Sequence, residues 1–150
     1  MSTLSSMEAY KKRWREAEIF LVLADSLSYI KALLRFQSKD VYELSAAAMT
    51  DRMGFSLEPF RRISGDFSLG WRSCCLKAVY PVSREAYSVI LEAGSVLGQM
   101  DLESQLQRLS VLEDRLRSRG EDLTKELRPL KKLYLCLGAF FGLMIIITLI

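Results

Sequence analysis

The chain has 150 residues, half of them hydrophobic, with a net charge of +3 and no histidine. That length suits one compact domain. The missing histidine removes the commonest general base, serine–histidine and cysteine–histidine pairs, and most zinc sites. Acids and bases are interleaved without long single-sign runs, which argues against a nucleic-acid surface.

The amino-terminus does not match a signal peptide. Its basic cluster, Lys11-Lys12-Arg13 with Arg15, precedes only the six apolar residues Ile19 to Ala24 before Asp25 intervenes. Apolar residues then follow helical steps from about Met7 to Phe36. One series is Tyr10, Trp14, Ala17, Leu21 and Ala24, and another is Leu23, Leu27, Ile30 and Leu34. A second helix is expected from an Asp40 cap to about Asp51, with Glu43 completing a capping box. A third starts at Ser56, with Pro59 in its first turn. A fourth runs from about Leu69 to Val79 and stops before Pro81. Ser83 caps a fifth, to about Leu97. Gly65 and Gly70 have phosphate-loop spacing, but Trp71-Arg72-Ser73 stands where lysine and a hydroxyl residue belong, so a helix–helix turn is the better reading. Cys74, Cys75 and Cys136 form neither a CxxC pair nor a disulfide framework.

Asp101 caps a sixth helix, in which leucine recurs at Leu102, Leu109, Leu116, Leu123, Leu130 and Leu137. Leu106, Leu112 and Leu127 widen that stripe. The alternate seam positions Gln105, Leu112, Arg119 and Glu126 are mostly wrong for a two-stranded coil, and no basic region precedes it. A bundle helix is therefore expected, ahead of a coiled coil with a partner. Glu113–Arg117 and Glu121–Lys125 are placed on its solvent face. Gly120 is expected to weaken the helix and Pro129 to bend it.

Every charge lies before Leu133, and 133–150 is a stretch of 18 uncharged residues. At 1.5 Å per residue it spans about 27 Å, close to the hydrocarbon thickness of a bilayer. The expected organisation is all-α: a bundle of up to six helices over 1–132, its last helix running into one transmembrane helix over 133–150. Truncation at about Leu127 is expected to leave a soluble, helical monomer. Arg128, Lys131 and Lys132 flank the apolar segment, so the positive-inside rule places the bundle in the cytoplasm. Gly138 and Gly142 form GxxxG, which is either a face for packing against another membrane helix or ordinary membrane glycine.

The run Leu97-Gly98-Gln99-Met100-Asp101-Leu102-Glu103-Ser104-Gln105, the charged helix after it, and Leu137-Gly138-Ala139-Phe140-Phe141-Gly142-Leu143 resemble the stage III sporulation protein AB family. Weaker similarity runs back through Tyr87 and Trp71 to Tyr10-Lys11-Lys12-Arg13. The family motif falls on Leu97, Gly98, Asp101 and Gln105. The resemblance implies a helical bundle similar to the cytoplasmic domain of type II secretion platform protein F. It implies a place in the channel complex between mother cell and forespore, on the mother-cell side, with partners from the same operon that include an ATPase. Two departures stand out. The hydrophobic segment that family members carry ahead of the tyrosine–arginine stretch has no counterpart, so either the start lies upstream or the anchor is C-terminal only. Lys31-Ala32 replaces an acidic–hydrophobic pattern.

Physically, Gly98 suits a turn, Asp101 a cap, and Gln105 a bond to an opposing backbone or partner. The expected function is a non-catalytic, membrane-anchored scaffold of the sporulation channel. It has no cofactor, metal, nucleic acid or small-molecule substrate. The alternative is a general tail-anchored adaptor whose bundle recruits cytosolic partners. An adjacent secretion ATPase gene separates the two.

Overall fold

The computed structural model describes residues 2–36, 40–53, 67–78, 83–98 and 101–149. They form five α-helices: α1 (Ser2–Phe36), α2 (Val41–Met53), α3 (Phe67–Ala78), α4 (Arg84–Val96) and α5 (Leu102–Leu149). The all-α expectation holds, and the boundaries fall within a few residues of those expected except at the start of α1. The helix expected from Ser56, together with Pro59, Gly65 and Pro81, lies outside the described residues.

The framework is an antiparallel hairpin of α1 and α5, which share the most extensive interface in the molecule. Its register follows from three contacts. Lys31 meets Ser110 and Glu113, Asp25 meets Arg117, and Tyr10 meets Tyr134. The buried stripe of α5 is Gln105, Leu109, Leu112, Leu116, Gly120, Leu123 and Leu127, stepping by three and four. The opposing face of α1 presents Ala17, Phe20, Leu23, Ala24, Leu27 and Ile30, all buried. Burial of this seam supplies the main apolar stabilisation, and truncating a fully buried leucine such as Leu116 to alanine costs about 2–5 kcal/mol.

Two details of the leucine repeat come out differently from the sequence reading. Leu109, Leu116 and Leu123 are buried, but Leu102, Leu130 and Leu137 are 40–46% exposed. A straight helix with 3.6 residues per turn drifts about 20° per heptad, so a strict seven-residue repeat leaves the seam toward Leu102 and Leu130, whereas Leu137 lies where no described residue covers α5. Leu106, Leu112 and Leu127 take over where it drifts. Glu113, expected on the solvent face, is buried. It does pair with Arg117, at 3.2 Å, and also binds Lys31 across the hairpin.

Glycine has a packing role at two places, Gly120, where the sequence shows only helix weakening, and Gly94. A Cβ added at Gly120 would lie 2.9 Å from the Leu21 side chain and 3.1 Å from Phe20 Cβ, so this glycine lets α1 approach closely. A Cβ at Gly94 would lie 2.2 Å from Trp71 Cδ1. The Trp71 indole thus lies flush on the α4 backbone, and its Nε1–H donates to the Ile90 carbonyl at 2.7 Å. That bond satisfies the one polar atom of a large buried ring and locks α3 to α4.

α5 carries Pro129 internally and continues to Leu149. The bundle helix and the apolar segment are therefore one continuous element, as the absence of any other breaker implies.

Candidate functional site

The family-motif residues Leu97, Gly98, Asp101 and Gln105 come together at the junction of α4 and α5. Ser83 opens α4 as its N-cap, accepting from the Ala86 N–H at 3.2 Å. Leu97 closes α4, buried, with its N–H bonded to the Ala93 carbonyl. Gly98 follows at φ +79°, the left-handed conformation that ends many helices and that side chains with a Cβ rarely adopt. The Asp101 carboxylate accepts from the Ser104 N–H at 3.1 Å, capping α5. Its hydrogen bonds from Ser104 hold that carboxyl below the usual carboxylate range. Gln105 is buried, and its Oε1 accepts from the Gly98 N–H at 3.4 Å. That amide would otherwise bond back into α4. Within the junction, Asp101 and Gln105 thus each accept from a backbone N–H, that of Ser104 and that of Gly98.

A second cluster clamps the hairpin near this end. Lys31 Nζ donates to Ser110 Oγ at 2.9 Å and pairs with Glu113, and Arg117 bridges Glu113 and Asp25, at 3.0 Å from the latter. Lys31, noted as a departure from the family pattern, points into the seam. Its partner is an acid on α5, so the local charge is balanced within the chain. The Arg117 guanidinium is held above its ordinary value, first by its hydrogen bond to Asp25 and then by that to Glu113. The local sequence signals only the Glu113–Arg117 step of this network, because its other members lie up to 92 residues apart.

About 23 residues along α5, roughly 35 Å away, lie Arg128, Lys131 and Lys132, all exposed. The fold does not bring them to the motif junction. It brings them instead to the amino-terminal part of α1. Tyr10 packs on Tyr134 with ring centroids 5.5 Å apart, and Trp14 Nε1 donates to Tyr10 OH at 2.6 Å. Beyond this contact α5 is exposed on all sides to Thr148. Among the described residues nothing lies within 4 Å of a Cβ built at Gly138 or Gly142. The most apolar window of α5 has mean hydropathy 1.9 and is nowhere buried.

The cysteines offer no reactive thiolate in the core. Cys74 and Cys75 are buried, and burial, followed by the neighbouring Cys74, pushes the Cys75 thiol far up. The Cys75 thiol therefore stays protonated, and both side chains pack as small apolar groups.

Fold and site together define an all-helical protein whose core hairpin helix extends, uncovered, into a segment long and apolar enough to cross a membrane. The particular family follows from comparison with known proteins: the family model for stage III sporulation protein AB matches residues 61–150, and the chain belongs to that family. The match includes the α4–α5 junction and the apolar segment, while the Tyr10-Lys11-Lys12-Arg13 stretch lies outside it. The family indicates a role in stage III of sporulation and is not a known enzyme family. No curated protein and no solved structure matches the chain.

Proposed function

We propose that the chain is a non-catalytic scaffold of the sporulation channel complex between mother cell and forespore. In this reading 1–132 is a cytoplasmic helical domain on the mother-cell side, and 133–150 is its single membrane span. The observation that carries the reading is the continuity of α5. Its first part is the buried seam of the hairpin, and beyond Tyr134 it is an apolar helix with no partner among the described residues. Such a helix transmits the position of the folded domain directly to the bilayer. Family membership supplies the sporulation setting.

The partners proposed are other proteins of that complex, including its ATPase. Gly138 and Gly142 are the proposed contact within the membrane, because both are open and close backbone approach is what drives helix association in lipid. The test is co-purification from sporulating cells in mild detergent, comparing wild type with the double variant Gly138→Ile/Gly142→Ile at equal membrane levels. Loss of channel proteins from the variant is expected. Equal recovery would remove the packing role, and recovery of no channel protein with wild type would remove the scaffold reading.

A further inference from the structure

The membrane-proximal end of the hairpin gathers charge that the sequence holds in two distant places. Residues 8–16 of α1 and 125–132 of α5 carry eight basic and three acidic side chains, a net of +5 against +3 for the whole chain. The rest of the molecule is therefore net −2, and all of the excess positive charge sits at one end. The antiparallel register brings the two stretches level, since Tyr10 packs on Tyr134 beside Lys131. Lys11, Lys12, Arg13, Arg15, Lys125, Arg128, Lys131 and Lys132 are all exposed. None of the eight has an ion-pair partner among the described residues, whereas Lys31, Arg108, Arg117 and Arg119 do.

The surface between these cations is apolar. One hollow of about 440 Å³ is lined by Lys125, Arg128, Pro129, Lys131, Lys132 and Leu135. A second, of about 480 Å³, runs from Tyr10, Lys131 and Tyr134 onto Gly138 and Ala139. Each hollow thus has cations at its bundle side and hydrocarbon toward the apolar helix. Tyr10, Trp14 and Tyr134 stand at the boundary, where amphipathic rings favour the headgroup level. We infer that this two-helix collar binds the headgroups of anionic phospholipids, with acyl chains lying along Leu135. Half of its cations come from α1, so the collar fixes the hairpin's orientation on the bilayer as well as its depth. This rests on the reading of 133–150 as a membrane span.

The test uses the full-length chain in phosphatidylcholine vesicles, with insertion first checked by resistance to carbonate extraction. Trace nitroxide-labelled phosphatidylglycerol or phosphatidylcholine then reports, by electron paramagnetic resonance, which lipid the protein immobilises. Wild type is expected to prefer phosphatidylglycerol at least about fivefold, the effect of one engaged cation near an anionic surface. The variant Lys11→Gln/Lys12→Gln/Arg13→Gln/Arg15→Gln is expected to lose most of that preference. The charge-preserving variant Lys11→Arg/Lys12→Arg/Arg13→Lys/Arg15→Lys is expected to keep it, with helicity unchanged in both. Equal immobilisation of the two lipids by inserted wild type would overturn the inference, and so would full preference in the glutamine variant. Loss of preference on adding inorganic phosphate at constant ionic strength would also overturn it, since the site would then recognise a free anion. A chain that carbonate extracts would instead sink the membrane-span reading.

Discussion

The two ends of the hairpin handle charge in opposite ways. Near the α4–α5 junction, Lys31 and Glu113 are withdrawn from solvent, Arg117 is half-exposed, and all three are paired. At the end next to the apolar segment the cations are exposed and have no ion-pair partner among the described residues. A buried charge must find a partner inside the chain, because the desolvation cost of leaving it alone is several kcal/mol. An exposed charge has no such constraint and remains free for something outside the chain. The difference separates groups that hold the fold from groups available for contact.

That comparison breaks most readily at Glu113. Glu113→Gln leaves Lys31 partly buried without its acid, and it is expected to lower unfolding stability of the full chain in detergent by about 2–3 kcal/mol. The double variant Lys31→Met/Glu113→Leu is expected to recover most of the loss, because an apolar pair of similar volume avoids desolvation altogether. A double variant no more stable than Glu113→Gln would show that the charges do more than neutralise one another.

The next largest effect is expected at the turn. Gly98→Ala forces a Cβ into φ +79° and is expected to cost about 1–2 kcal/mol in thermal or denaturant unfolding. Among the described residues the new Cβ would meet Val41 Cγ2 at 3.5 Å, an ordinary contact. The penalty is therefore conformational, and Gly98→Asn should recover part of it.

Asp101→Ala is expected to lower the melting temperature less, and only above the pH range in which the carboxyl titrates. The folded-state carboxyl lies below its ordinary value, so its stabilising effect is complete above the unfolded-state value. It is lost as pH falls through the folded one. Melting curves of wild type and variant should converge in acid. A gap that persists there would mean that the cap acts through something other than its charge.

The smallest change is expected from Lys131→Gln/Lys132→Gln at the opposite end, within about 0.5 kcal/mol of wild type, as for solvated charges generally. A larger loss would show that these lysines hold the fold, and the contrast between the two ends would fail.

Much of this molecule is determined locally. Helical spacing in α1 and α5, the Ser83 and Asp101 caps, the glycine turn at Gly98 and the uncharged final stretch follow from residue types a few positions apart. Their physical causes are equally local: backbone sterics, capping hydrogen bonds and apolar periodicity. What only the tertiary structure decided depends on register between distant segments. The antiparallel offset of α1 and α5 turned Glu113 inward to Lys31, made Gly120 a site of close approach to Phe20 and Leu21, and set Gly94 beneath Trp71. The same offset carried Lys11, Lys12, Arg13 and Arg15 to the level of Arg128, Lys131 and Lys132. Sequence patterning reports which face of a helix is apolar, but not which residue of another helix will lie against it. That choice is made by the packing of the whole seam at once, where shape and charge must fit together.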